Sequence, residues 1–156
     1  MAHYSGIVTV PRSGTYRFSG TGDNYLHLRI DDKPRLHFGH ANPKGWTPTS
    51  PTEQKHQSPY VGGWIVNYGD WIDLRAGQKI KIDIGIGESG GGMLGFILQV
   101  EERGVKYRTD KANKNRPILP LFTTVPFSPD EIERLRSEFG PYEIDFENVQ
   151  VFSLSK

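Results

Sequence analysis

The stretch Lys79 to Ile86 sets isoleucine at every second position, with Ile80, Ile82, Ile84 and Ile86 interleaved by Lys79, Lys81 and Asp83. A period of two puts all four isoleucines on one face of an extended chain and the charges on the other. No helix sorts residues this way, so the segment is a strand with one buried face, and a strand needs partners. Other segments repeat the pattern. Ile7 to Val10 is β-branched. Thr15 to Ser19 carries Tyr16 and Phe18 on one side. Tyr25 to Asp31 carries Leu26, Leu28 and Ile30. Met93 to Glu101 carries Leu94, Phe96, Leu98 and Val100. Arg35 to Phe38, Trp64 to Val66 and Trp71 to Leu74 complete the predicted strands.

Punctuation between them is frequent: 18 glycines and 11 prolines in 156 residues. Pro11 to Gly14, Gly20 to Asn24, Asp32 to Pro34, Arg75 to Gln78 and the glycine-rich Gly87 to Gly92 read as turns or loops. Short strands, many turns and 12% aromatic residues predict an antiparallel sandwich or barrel. Gly39 to Pro59, rich in proline and poor in aliphatic residues, reads as a long surface excursion. Arg108 to Arg116 reads as a polar bridge, followed by an apolar stretch at Ile118 to Phe122.

One helix is expected, over about 129–139. Ser128-Pro129-Asp130-Glu131 is a capping box with proline in the first turn, and Gly140-Pro141 ends the helix. Its apolar stripe, Ile132, Leu135 and Phe139, is too narrow to stand alone, so it must lie on the sheets. Val149 to Leu154 is a candidate closing strand. The expectation is therefore a single domain over 1–156: a β core at about 4–107, and a C-terminal extension packed on it.

Nineteen Lys and Arg against 18 Asp and Glu give net charge +1, with no clustered basic excess, which argues against nucleic acid. The absence of cysteine removes disulfides, thiolate metal sites and thiol nucleophiles. No apolar run approaches the roughly 20 residues of a membrane-spanning helix. The start lacks the basic-then-apolar pattern of a secretory signal, which reads as a domain taken from a longer protein, the alternative being a complete cytosolic protein.

Pro11-Arg12-Ser13-Gly14-Thr15-Tyr16-Arg17-Phe18, then Gly22-Asp23-Asn24-Tyr25 running to Ile30-Asp31-Asp32-Lys33, resembles the protective-antigen-type (PA14) domain family. Leu74 to Gln78 with the strand that follows is similar to a second stretch of that family, and the likeness spans roughly 5–101. The resemblance implies an antiparallel β-sandwich used as a module of bacterial extracytoplasmic proteins, commonly binding carbohydrate. It also implies that Asp23 and Asn24 stand where paired aspartates hold calcium in one branch of the family. Asn24 offers a carbonyl oxygen to a hard cation but no charge.

The candidate ligand-binding residues are Asp23, Asn24, Trp46 and Glu88, with Asp23 and Asn24 as the calcium donors if a metal binds at all. Aromatic faces stack on sugar rings, and Asp and Asn take hydroxyls. The plainer reading of Asp23 and Asn24 is that Asx residues suit turns. Trp64 and Trp71 read as core, Trp46 as exposed. His27, His37 and His40 lack metal-site spacing and read as exposed histidines on a sheet face. The glycine-rich loop lacks the Lys-Ser/Thr of a phosphate cradle. No nucleophile elbow or carboxylate pair points to catalysis. Two functions are expected: a non-catalytic module binding glycan at its loops, or a structural or protein-interaction domain of a cell-envelope assembly. An apolar patch under the C-terminal segment would favour the second.

Overall fold

The computed structural model describes residues 2–39, 58–61, 64–88, 95–140 and 143–155. The chain is an all-β sandwich of antiparallel sheets with one α-helix among the described residues. Its strands are β1 (Ala2–Thr9), β2 (Gly14–Gly22), β3 (Tyr25–Ile30), β4 (Lys33–Gly39), β5 (Ser58–Val61), β6 (Trp64–Tyr68), β7 (Ile72–Leu74), β8 (Lys79–Gly87), β9 (Phe96–Glu102), β10 (Thr109–Asp110) and β11 (Arg116–Pro117). Helix α1 spans Pro129–Phe139.

The first sheet runs β1-β8-β3-β4. The isoleucine strand β8 sits inside it, with β1 on one side and β3 on the other. That position explains its sequence: a central strand with one face on the core reads as strict alternation. The second sheet is built on β2. Strand β9 pairs along one side of it from Tyr16 to Gly22, while β6 and β7 follow one another on the other side. Strand β5 lies outside β6. Between the sheets lie Tyr16 and Phe18 of β2, Leu26, Leu28 and Ile30 of β3, the four isoleucines of β8, and Leu98 and Val100 of β9.

The C-terminal segment joins the two sheets along one side. Phe122 N–H donates to Leu98 O (2.9 Å), Phe152 N–H to Thr123 O (2.9 Å) and Thr9 N–H to Ser153 O (2.8 Å). The path runs from β9 through 119–123 and 151–155 to β1. Phe152, fully buried, meets the rings of Tyr16, Phe18 and Phe122 along it. The expected closing strand is thus corrected to isolated bridges, Thr123 with Val151 and Val8 with Leu154. Short reaches of chain suffice to span the gap between sheet edges, and no longer ladder forms.

Helix α1 forms where the capping box placed it, with Ser128 Oγ accepting from Glu131 N–H and the Glu131 carboxylate accepting from Ser128 N–H. Its stripe of Ile132, Leu135 and Phe139 is only half-buried. Four other local expectations are corrected. The β3–β4 turn is Asp31-Asp32, both at positive φ (49° and 60°), and Pro34 lies within edge strand β4, where its missing N–H is tolerated. Strand β9 begins at Phe96, which is 37% exposed rather than core; Leu94 and the rest of 89–94 lie outside the described residues. Trp71 is not core: it is half-buried and stacked between the guanidinium groups of Arg17 (4.5 Å) and Arg103 (4.6 Å). The polar bridge contains the short β10–β11 pairing around a 3₁₀ turn at Lys111–Asn113.

Candidate functional site

Asp23 and Asn24 form the two-residue connection from β2 to β3. Asn24 adopts φ +70°, a conformation Asn tolerates better than most residues. Asp23 N–H donates to Gly95 O (2.9 Å), and Asn24 Nδ2 donates to Asp23 Oδ1 (3.3 Å). The pair therefore meets the needs of its own turn. Glu88 stands at the same end of the molecule, because Gly87 is the register partner of Tyr25 and Glu88 follows it. Glu88 Oε1 is buried and, among the described residues, accepts no hydrogen bond. Among the described residues no group of three or more His, Asp or Glu is placed to hold a metal ion. Trp46 lies outside the described residues, as do His40 and most of the Gly39 to Pro59 excursion.

The glycines beside this turn serve packing. A Cβ on Gly20 would sit 2.5 Å from Ile97 O and 2.7 Å from Leu26 Cδ2, and one on Gly22 would sit 2.5 Å from Tyr25 O. These positions are closed by neighbouring strands rather than open to a ligand.

His27 and His37 are buried cross-strand partners, not exposed, with ring centroids 6.0 Å apart. Burial first, then the neighbouring His37 and Arg29, push His27 down to about 4, so its imidazole is neutral near pH 7.

A concavity among the described residues lies elsewhere. Where β1 and β9 diverge above the C-terminal seam, a cavity of about 580 Å³ opens between the sheets. Ile82, Ile84 and Leu98 contribute core side chains to it, and Leu135 and Phe139 bring the helix stripe. Tyr4 and Phe96 stand at the two strand edges with ring centroids 6.2 Å apart, 55% and 37% exposed. The lining is mostly aliphatic and aromatic, with Ser5, Thr123 and Thr124 among it. Gly6 lines it without a side chain: among the described residues a Cβ there would meet Leu154 Cδ2 alone, at 3.5 Å. Ser5, beside it on the outer face of β1, bonds Asp83. That hydroxyl, followed by Lys81 and His3, holds the Asp83 carboxyl below the usual range.

Sequence reasoning missed this groove. Its signals were present but faint: Tyr4 sits at a core-facing position between the small residues Ala2 and Gly6, and the helix stripe is narrow. Set against family models, curated proteins and solved structures, the chain matches none.

Proposed function

We propose that this chain is a non-catalytic interaction module, and that its binding surface is the apolar groove between β1, β9 and α1. The observation carrying this reading is the groove itself: about 580 Å³, apolar, rimmed by exposed Tyr4 and Phe96, and bounded by the C-terminal segment. Contiguous exposed apolar surface mostly marks a place where another molecule docks. Among the described residues no helix is long and apolar enough to cross a membrane. The sequence resemblance adds an extracytoplasmic setting, as part of a cell-envelope assembly.

The test is titration with anilinonaphthalene sulfonate, which fluoresces in apolar sites. Native protein should enhance the dye, and Leu135→Glu or Phe139→Glu should abolish the enhancement while the melting temperature holds. Enhancement that ignores both substitutions would place the apolar surface elsewhere.

A second reading keeps a polar ligand at the Asp23, Asn24 and Glu88 end, where a glycan would bind with or without calcium. The buried Glu88 Oε1, which finds no donor among the described residues, supports it, since a buried carboxylate oxygen wants a donor or a cation. Calcium takes about six to eight oxygens, more than these three side chains supply, so binding there would be weak. Calorimetric titration of calcium into wild type and Glu88→Gln tests it; equal heats remove it.

A further inference from the structure

The open edge of β1 runs along the groove, and it is half used. In the antiparallel pairing of β1 with β8, alternate β1 residues turn their backbone groups to β8 and the others turn them away. Thr9 N–H and Ile7 O face away, since they bond Ser153 O (2.8 Å) and Ser155 N–H (2.9 Å) of the C-terminal segment. By the same parity the N–H and C=O of Ser5 and His3 face away too, and among the described residues nothing bonds them. An unpaired strand edge is a template for another strand.

We propose that an extended segment of a partner protein adds to β1 at His3–Ser5 as an antiparallel strand, in line with residues 153–155, and sets its alternate apolar side chains into the groove. This rests on the groove reading above and specifies the occupant. The C-terminal segment already shows the geometry. Leu154 is the register partner of Val8 and faces the cavity. Ser155 continues that register opposite Ile7, so the position opposite Gly6 belongs to this chain's own next residue, and the groove-facing positions left to an added strand lie opposite Tyr4 and Ala2. Tyr4 offers a ring to pack against, and Ala2 is small. The other face of the added strand would lie beside His3, Ser5 and the Asp83–Lys81 ion pair (3.2 Å), so it should be polar. The occupant is thus an alternating apolar/polar strand, bound through its main chain and selected through pockets. A second copy of this chain fits poorly. Its β1 would present Ala2, Tyr4 and Gly6 to the groove, only one of them large, and that one already lies against Phe96.

The probe is a synthetic peptide alternating leucine with serine, and a twin N-methylated at the amides that would face β1. Both are titrated against dye-loaded full-length protein, with hydrogen exchange followed at the Ser5 and His3 amides. The unmodified peptide should displace the dye and slow exchange at both amides by at least about tenfold. The N-methylated twin should bind at least about tenfold more weakly, the scale of a lost hydrogen bond. Ser5→Pro removes one outward N–H without touching the bonds to β8 and should weaken the peptide similarly, whereas Ser5→Ala should not. Since Ser5→Pro also risks the strand, the N-methylated peptide on wild-type protein decides independently. Equal displacement by both peptides, with exchange unchanged, overturns strand addition and leaves the groove reading standing. A lack of dye enhancement in native protein overturns the groove reading itself. Protected Ser5 and His3 amides in a concentration-dependent dimer, without peptide, overturn the partner segment in favour of a second copy.

Discussion

The hydroxyl oxygens of Thr9 and Ser155 lie 2.8 Å apart, although 146 residues separate them in the chain. The contact ends the seam in which residues 119–123 and 151–155 tie β9 to β1. One side of the sandwich is therefore closed by residues 119–123 and 151–155 rather than by its named strands. Where the seam stops, the groove begins. The same segment thus completes the core and defines the candidate binding surface.

Phe152 carries that seam. It is fully buried against three aromatic rings, so Phe152→Ala should destabilise by about 3–5 kcal/mol. Two residues on, Leu154 is 61% exposed, and Leu154→Ala should stay within about 0.5 kcal/mol. Urea unfolding of the two variants measures both. Similar small losses would mean that the tail merely rests on the sheets.

Gly20 is a packing requirement. With a Cβ 2.5 Å from a backbone oxygen of β9, Gly20→Ala must push strands apart and should cost about 1–3 kcal/mol or more. Among the described residues a Cβ on Gly95 meets nothing within 4 Å, so Gly95→Ala should be near neutral. If Gly20→Ala melts like wild type, the glycine is there for another reason.

Arg17 is stacked between Tyr68 (4.4 Å) and Trp71 (4.5 Å) and bonded to Glu101 (2.6 Å). Such a partly desolvated stack should couple its members. A double-mutant cycle of Arg17→Met with Trp71→Leu should return an interaction of about 0.5–2 kcal/mol. Additive effects would show that the rings only cover aliphatic surface.

The strands and the capped helix were legible because each writes its period locally: two for Ile80 to Ile86, and a capping box with a stop for Pro129 to Phe139. What escaped depends on contacts distant in sequence. Trp71 reads as core by hydrophobicity, yet two arginines 54 and 32 positions away cover it instead. Phe96 keeps the core-facing parity of Leu98 and Val100, but it lies beyond the seam and so meets solvent. His27 and His37 carry the outer-face parity of β3 and β4, and nothing in their own segments announces burial. Asp23, Asn24 and Glu88 share one end of the molecule because a turn and a strand end fix them there. The groove arises only from the way the C-terminal segment crosses the sandwich.

The buried histidines give the fold a pH dependence of definite sign. His27 is 4% exposed, and its folded-state value falls from the ordinary 6.5 to about 4, through burial and then the neighbouring His37 and Arg29. Between those values the unfolded chain holds a proton that the folded chain refuses. The stabilisation is therefore complete above about 6.5 and is lost as pH falls toward about 4, up to a limit of about 3 kcal/mol. Asp83, whose value is lowered from 3.8, acts in the same direction but in a window below that one. Urea midpoints should thus drop steadily across the histidine window in wild-type protein. His27→Leu removes the titrating ring while keeping an apolar side chain, and its midpoint should be flatter there. A variant that loses stability with acid as steeply as wild type would assign the effect to other groups.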